Sequence, residues 1–388
     1  EQVFQRYLSN YSGEDADVVG KIVQGEIEGC KLAKELAGNP SPIEVEHTGG
    51  TLNSPETEFS PFPLGQDLYL SSTKDGDKAR IYKSKKDNGN WTAPEVAEQF
   101  LAFEGKHYCN PAFSPDRQRV YFTVCESVET WGYLTSRCEI YVSTKTGEVW
   151  SQGVRLPNSI NVADYTSTQP SVVHRNGKEI VYYASNRPNG QGGMDIWYTI
   201  RNLDGATLAF SEPVNVGPKV NTIGNEITPF YDSANGTLYF SSNGQTTTGG
   251  YDIFRSSGQQ LNWEQPLNLG LPFNSPADDY FYVVDQFGSI GYLASNRLQG
   301  SEKTSTEHED IFTFMLKPSE LVVINGVVTD DMTMAQIEEV NISLSEILDG
   351  ERKKMISTNI SPDGSYSLET MRGRTYEIVA HAAGYQPT

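Results

Sequence analysis

The side chains best suited to chemistry are few and scattered. The chain holds five histidines, His47, His107, His174, His308 and His381, and no two lie three or four residues apart. That excludes the paired histidines of a metalloprotease helix, and no Gly-x-Ser-x-Gly turn occurs; Gly288-Ser289-Ile290-Gly291 misses it by one position. His107 close to Cys109 offers a ligand or nucleophile pair, although a half-buried loop histidine is the plainer reading. Asp75-Gly76-Asp77 and Asp87-Asn88-Gly89-Asn90 gather oxygen ligands without the alternating acids and terminal Glu of a calcium loop, so they read as hairpin turns. The runs Asn189-Gly190-Gln191-Gly192-Gly193 and Thr248-Gly249-Gly250 precede neither a helix start nor a Lys-Ser/Thr pair. They read as turns rather than a phosphate cradle.

Asp195, Asp252 and Asp310 recur at one position of a repeat. They either line a central channel and hold a cation or ligand, or bond backbone groups between neighbouring strands. Their strict repetition favours the second role, and the same holds for Asn186-Arg187 and Asn296-Arg297. No catalytic, cofactor-binding or metal-binding residue is assigned, no cofactor is expected, and the chain is expected not to be an enzyme. The cysteines say more. Cys125 ends one strand and Cys138 begins the next, where an antiparallel hairpin can set them opposite each other; a disulfide is expected there, and with it an oxidising compartment. Cys30 and Cys109 have no evident partner.

The elements that must position these residues come from an internal repeat. A polar residue, then Ile, then an aromatic recurs at Arg80-Ile81-Tyr82, Glu139-Ile140-Tyr141, Asp195-Ile196-Trp197, Asp252-Ile253-Phe254 and Asp310-Ile311-Phe312, with isoleucines 59, 56, 57 and 58 residues apart. Each unit carries four short strands, the content of one propeller blade. The fifth unit lacks its outer strand, while Ile43-Glu44-Val45-Glu46-His47, ahead of the first, is a spare one. Lending it to the last blade closes the ring and removes two exposed edges. Similar connectors recur at Leu52-Asn53-Ser54-Pro55, Val220-Asn221-Thr222 and Phe273-Asn274-Ser275-Pro276.

Residues 1–39 predict a helical segment, with Ser12 as cap, apolar residues from Val19 to Leu36 at helical spacing and Gly38 at the end. Residues 40–317 predict the propeller. Residues 318–388 change to alternating strands with an Asp363-Gly364 turn, which predicts a small β-sandwich. The formal charge of −20 leaves no basic surface for nucleic acid or anionic lipid. No apolar run is long enough to span a bilayer. The abrupt ends suggest a piece of a longer protein.

Taken together, the propeller wording Tyr239-Phe240-Ser241-Ser242-Asn243 with Gly249-Gly250-Tyr251-Asp252-Ile253-Phe254 resembles PD40 (WD40-like, TolB-related) blades. Gly326-Val327-Val328, Asp363-Gly364-Ser365-Tyr366 and Ala383-Gly384-Tyr385 resemble a carboxypeptidase regulatory-like domain. With a TPR-like helical segment in front, the order resembles the OmpA-family periplasmic proteins of the Bacteroidetes. That resemblance implies a mainly β fold, a five-bladed propeller between a TPR-like segment and a regulatory-like β-sandwich. It also implies a periplasmic, outer-membrane-associated scaffold of type IX secretion or gliding, with a PorP-like membrane-associated partner. Peptidoglycan would be gripped only through a C-terminal domain that these residues do not include. The alternative is a propeller enzyme or glycan-binding lectin with its site in the central channel.

Overall fold

The computed structural model describes all residues except 39–40, 88, 98–104, 131–132, 148, 204–207, 300–304, 317–320, 349–350, 372–374 and 387–388. The expected junctions at 39–40 and 317–318, and Asn88 of the second acidic turn, lie outside the described residues. The chain forms two compact units: Glu1–Val283 with Gly291–Phe314, and Val284–Ile290 with Met315–Thr388.

The first unit is a five-bladed β-propeller preceded by two helices, α1 (Gln2–Asn10) and α2 (Ala16–Ala37). Asp15, not Ser12, occupies the N-cap of α2 and its carboxylate takes the Tyr11 hydroxyl, while Gly38 closes the helix as expected. Val23 and Ile27 of α2 are buried, and Gly29 lies so close to the Thr247 carbonyl that a Cβ would collide with it. The described residues contain two helices, the pair expected of this segment, and nothing in them supports its TPR-like label.

Inner strands Glu58–Leu64, His107–Phe113, Ser167–Arg175, Glu226–Asp232 and Asp279–Val284 begin blades 1 to 5. Each pairs antiparallel with a second strand, and that with the third strand carrying the repeated isoleucine. Blade 5 takes its outer strand from the start of the chain, with Val45 opposite Phe314 and His47 opposite Phe312. The deficit of one strand at the end and the surplus at the beginning thus cancel.

The apolar core lies between blades. Tyr182 and Tyr198 of blade 3 pack on Tyr231, Phe240, Phe254 and Trp263 of blade 4. Each such buried side chain contributes about 1.5–3 kcal/mol before entropy is counted. One ionic cluster joins blades 2 and 3. The wholly buried Glu179 carboxylate accepts from Arg119 Nε at 3.1 and 3.0 Å, Arg201 Nε at 2.9 Å, the Tyr121 hydroxyl at 2.6 Å, and lies 2.9 Å from His174 Nε2.

The repeated connectors explain why Asn is needed in them. Asn221 accepts the Ile196 N–H at 2.8 Å and donates to the Ile196 carbonyl at 2.9 Å, a side chain acting as one residue of a missing strand. Asn53, Asn161 and Asn274 do the same for Ile311, Ile140 and Ile253. These backbone groups are buried, where an unpaired one is costly.

The second unit holds two small sheets, Leu321–Val327 with Ser365–Met371, and Val340–Leu348 between Glu351–Ser361 and Thr375–His381. Leu368 shares one core with Val340, Ile342, Leu344 and Phe287.

Candidate functional site

Every inner strand carries one non-glycine residue at positive φ. Ser60, Asn110, Gln169, Thr228 and Phe281 adopt φ of 52, 56, 56, 51 and 53°, and in blades 1 to 4 the register shifts there. Such a bulge turns a backbone N–H out of its own sheet. Here the freed N–H groups reach the preceding blade: Asn110 donates to Ser71 Oγ at 3.0 Å, Gln169 to Thr123 Oγ1 at 3.1 Å and Thr228 to Gln169 Oε1 at 2.9 Å. The bulges stitch the ring together and turn the same five residues onto its axis.

The result is an axial hollow lined from all five blades, with a cavity of about 50 Å³. Four blades place a polar residue followed by Pro at this level; blade 5 places Phe281 and Tyr282 instead. Phe62 and Phe230 add two more rings to the wall. No charged side chain is among the described lining residues. Asn110, 5% exposed, has a side-chain oxygen with no hydrogen-bond partner.

Carboxylates stand at the start of three inner strands and are tied inside the blades. Glu58 accepts from the Ser54 N–H at 2.8 Å, Ser54 Oγ at 2.7 Å and Ser72 Oγ at 2.5 Å. Glu226 repeats this with Thr222 and Ser242, and Asp279 with Ser275, Ser295 and Arg297. Burial pushes all three carboxyls up, against these hydrogen bonds. In blade 2 the equivalent pair is Tyr108 opposite Val124, and the next rung outward is Cys125 opposite Cys138, whose sulfurs are bonded at 2.05 Å.

The repeated aspartates lie on the third strands. Asp252 accepts from the Thr248 N–H at 2.7 Å and Asn268 Nδ2 at 2.6 Å, and Asp310 lies 3.1 Å from His47 Nε2. Asp195 accepts from Gln191 N–H and Asn215, yet its Oδ1 has no partner, because Gln191 stands where Thr248 gives Asp252 a hydroxyl. Asn186 and Asn296 accept backbone N–H groups of Thr166 and Asp278. Arg187 reaches the Tyr183 hydroxyl, and Arg297 the carbonyl of Pro272. The glycine runs are close approaches: a Cβ on Gly192 or Gly249 would sit 2.4 Å from Ile223 or Pro276 backbone. Asp75 accepts the Tyr82 hydroxyl at 2.8 Å. His107 Nδ1 accepts the Ala79 N–H, and burial raises the Cys109 thiol to about 12, which keeps it protonated and inert. Among the described residues no cluster of three or more His, Cys, Asp or Glu could hold a metal.

The channel residues escaped the sequence reading. Their one shared signal is the proline after the bulge, at positions 61, 111, 170 and 229.

No family model matches the chain, and no curated protein does. Solved structures do. One is a family 117 glycoside hydrolase of Zobellia galactanivorans, 14% identical, covering 71% of this chain and 90% of its own, with a TM-score of 0.45. Another is an endo-arabinase of Bacteroides thetaiotaomicron, 18% identical over 72% of this chain and 98% of its own, TM-score 0.46. A third is a thermostable family-43 glycoside hydrolase, 12% identical over 80% and 99%, TM-score 0.45.

These findings correct the expected family. The chain is similar to glycoside-hydrolase propellers, so the OmpA-family resemblance, its PD40 and regulatory-like labels and the secretion scaffold drawn from it are withdrawn. So is the expectation that the chain is not an enzyme. The physical reason lies in the wording that carried the resemblance. Asp252 ties a loop to a strand, Gly249 permits a close approach, and Ser242 holds a buried acid. These residues specify a blade, not a task.

Proposed function

We propose that the propeller binds a neutral carbohydrate at the mouth of its axial channel. The observation that carries this reading is the wall itself: Phe62, Phe230, Phe281 and Tyr282 beside side-chain amides and hydroxyls, with no charge among the described lining residues. Sugar rings offer C–H faces to aromatic rings and hydroxyl rims to amides and hydroxyls. The 50 Å³ cavity is far below the roughly 300 Å³ of a pocket that encloses a ligand. The ring therefore rests at the mouth and a hydroxyl or hydroxymethyl group enters. The net charge of −20 disfavours acidic glycans.

Glycosidic hydrolysis is the second reading, favoured by the raised carboxyls of Glu58 and Glu226, the property a general acid needs. Each would first have to leave its seryl partner. The experiment is calorimetric titration with neutral oligosaccharides, arabinan fragments included, together with chromatography for released sugars. Binding that Phe281→Ala weakens supports the reading; no binding to any neutral glycan, or equal binding by the variant, overturns it. Product that disappears in Glu58→Gln or Glu226→Gln adds hydrolysis.

The Cys125–Cys138 bond supports maturation in an oxidising compartment such as the periplasm. The core that Leu368 shares across the two sheets of the second unit supports reading that unit as a small β-sandwich.

A further inference from the structure

One side chain in the channel wall is only half spent on the ring. The bulge N–H groups of Asn110 and Gln169 end on hydroxyls of the preceding blade's second strand, Ser71 and Thr123. The same place in blade 3 holds Ala184, paired with Thr168 as Ser71 is with Phe59 and Thr123 with Cys109, and it has no oxygen for the Thr228 N–H. Gln169 supplies one instead: its Oε1 accepts that N–H at 2.9 Å. A backbone N–H can only donate, so the amide cannot be turned over, and its Nε2 holds two N–H groups on the side away from that bond. Gln169 is half-buried, its Nε2 has no partner among the described residues, and solvent reaches that atom. The amide lies between two bulge residues that both line the axial hollow, so the open space it meets is the hollow. In a ring of five, the blades not adjacent to blade 3 are blades 5 and 1, which bring Phe281 and Phe62 to the opposite wall.

We propose that Gln169 is the specificity-determining residue of the channel: its Nε2 donates to one oxygen of the ligand, a ring ether or a hydroxyl, whose apolar face rests on the Phe281 and Phe62 side. This rests on the carbohydrate reading above and sharpens it to an acceptor requirement. An alkyl group entering the hollow would cut the amide off from water and leave it unpaired. A cation would meet N–H groups of its own sign and no balancing charge among the described lining residues.

The test follows the Gln169 side-chain amide by NMR in glutamine-labelled full chain, titrated with dioxane, whose ether oxygens only accept, and with ammonium, which only donates. In parallel, affinity for neutral oligosaccharides is measured for wild type, Gln169→Glu and the double variant Gln169→Ser with Ala184→Ser. Glu keeps an oxygen for the Thr228 N–H and loses the donor. The double variant gives blade 3 the Ser60 and Ser71 pair of blade 1, at a similar positive φ, so the tie is restored without a charge. Dioxane alone should shift the Gln169 signals saturably, and both variants should lose about tenfold or more in affinity. Gln169 signals unmoved by dioxane, or moved equally by ammonium, overturn the proposal, and this wild-type titration decides even where a variant fails to fold. Oligosaccharide binding that survives intact in both variants, as a side chain that only stitches the ring requires, overturns it while leaving the carbohydrate reading standing. Dioxane shifts without any oligosaccharide binding leave the acceptor requirement standing and remove the carbohydrate.

Discussion

Replacing Glu179 by Gln should cost the propeller about 3 kcal/mol at neutral pH, by a route that acid switches off. Burial alone would raise this carboxyl, but hydrogen bonds from His174 and Tyr121 and the charge of Arg119 outweigh it and hold it at about 2, against an ordinary 4.5. A fall of that size is worth about 3 kcal/mol. The folded value lies below the unfolded one, so the contribution is complete above pH 4.5 or so and drains away toward pH 2. By pH 3 about 1.4 kcal/mol remains. Gln also removes the charge that Arg119 and Arg201 share at this position, which adds to the loss. Urea unfolding followed by tryptophan fluorescence measures it cleanly, because all five tryptophans lie between residues 91 and 263, within the propeller. The gap between wild type and variant should narrow by about 2 kcal/mol between pH 7 and pH 3. A gap below about 1 kcal/mol at pH 7, typical of an exposed pair, would refute the reasoning. So would a gap that acid leaves unchanged.

Asp252 carries the opposite sign: burial pushes its carboxyl up to about 6, so stability falls by about 3 kcal/mol as pH rises from 3.8 toward 6. A carboxyl carbon-13 titration with its midpoint near 6 checks this, and a midpoint below 4 contradicts it. Gln191→Thr should give Asp195 the hydroxyl that Thr248 gives Asp252, raising stability in urea by about 1 kcal/mol. Replacing Cys125 and Cys138 together by Ser should cost about 3 kcal/mol, the closure term for a separation of 13 residues. An unchanged urea midpoint would show that the hairpin ladder already supplies that constraint.

The ring was legible because spacing survives substitution. Five isoleucines at near-constant intervals count the blades, and one missing outer strand with one spare strand closes them. The channel was not legible because a bulge is a property of the backbone. Ser60, Asn110, Gln169, Thr228 and Phe281 share a dihedral angle and no side-chain chemistry. The repeated aspartates were legible by their repetition: read as groups that bond backbone between neighbouring strands, they are spent that way, Asp252 taking the Thr248 N–H and the Asn268 amide. Function was misread because the residues behind the family resemblance are those that any such blade needs for its turns.

The pairing of Val45 with Phe314 also sets a clock. The partners are 269 residues apart, so the blade they share cannot form until almost the whole propeller has left the ribosome. At about 5–20 residues per second, the first strand waits roughly 15–50 s for its partner. Blades 1 to 4 can fold locally as they emerge, since each is made of consecutive strands. The unfinished ring meanwhile presents an edge at each end of the nascent arc. Its period of greatest exposure to aggregation therefore falls late in synthesis, and a pause between blades 4 and 5 would prolong it.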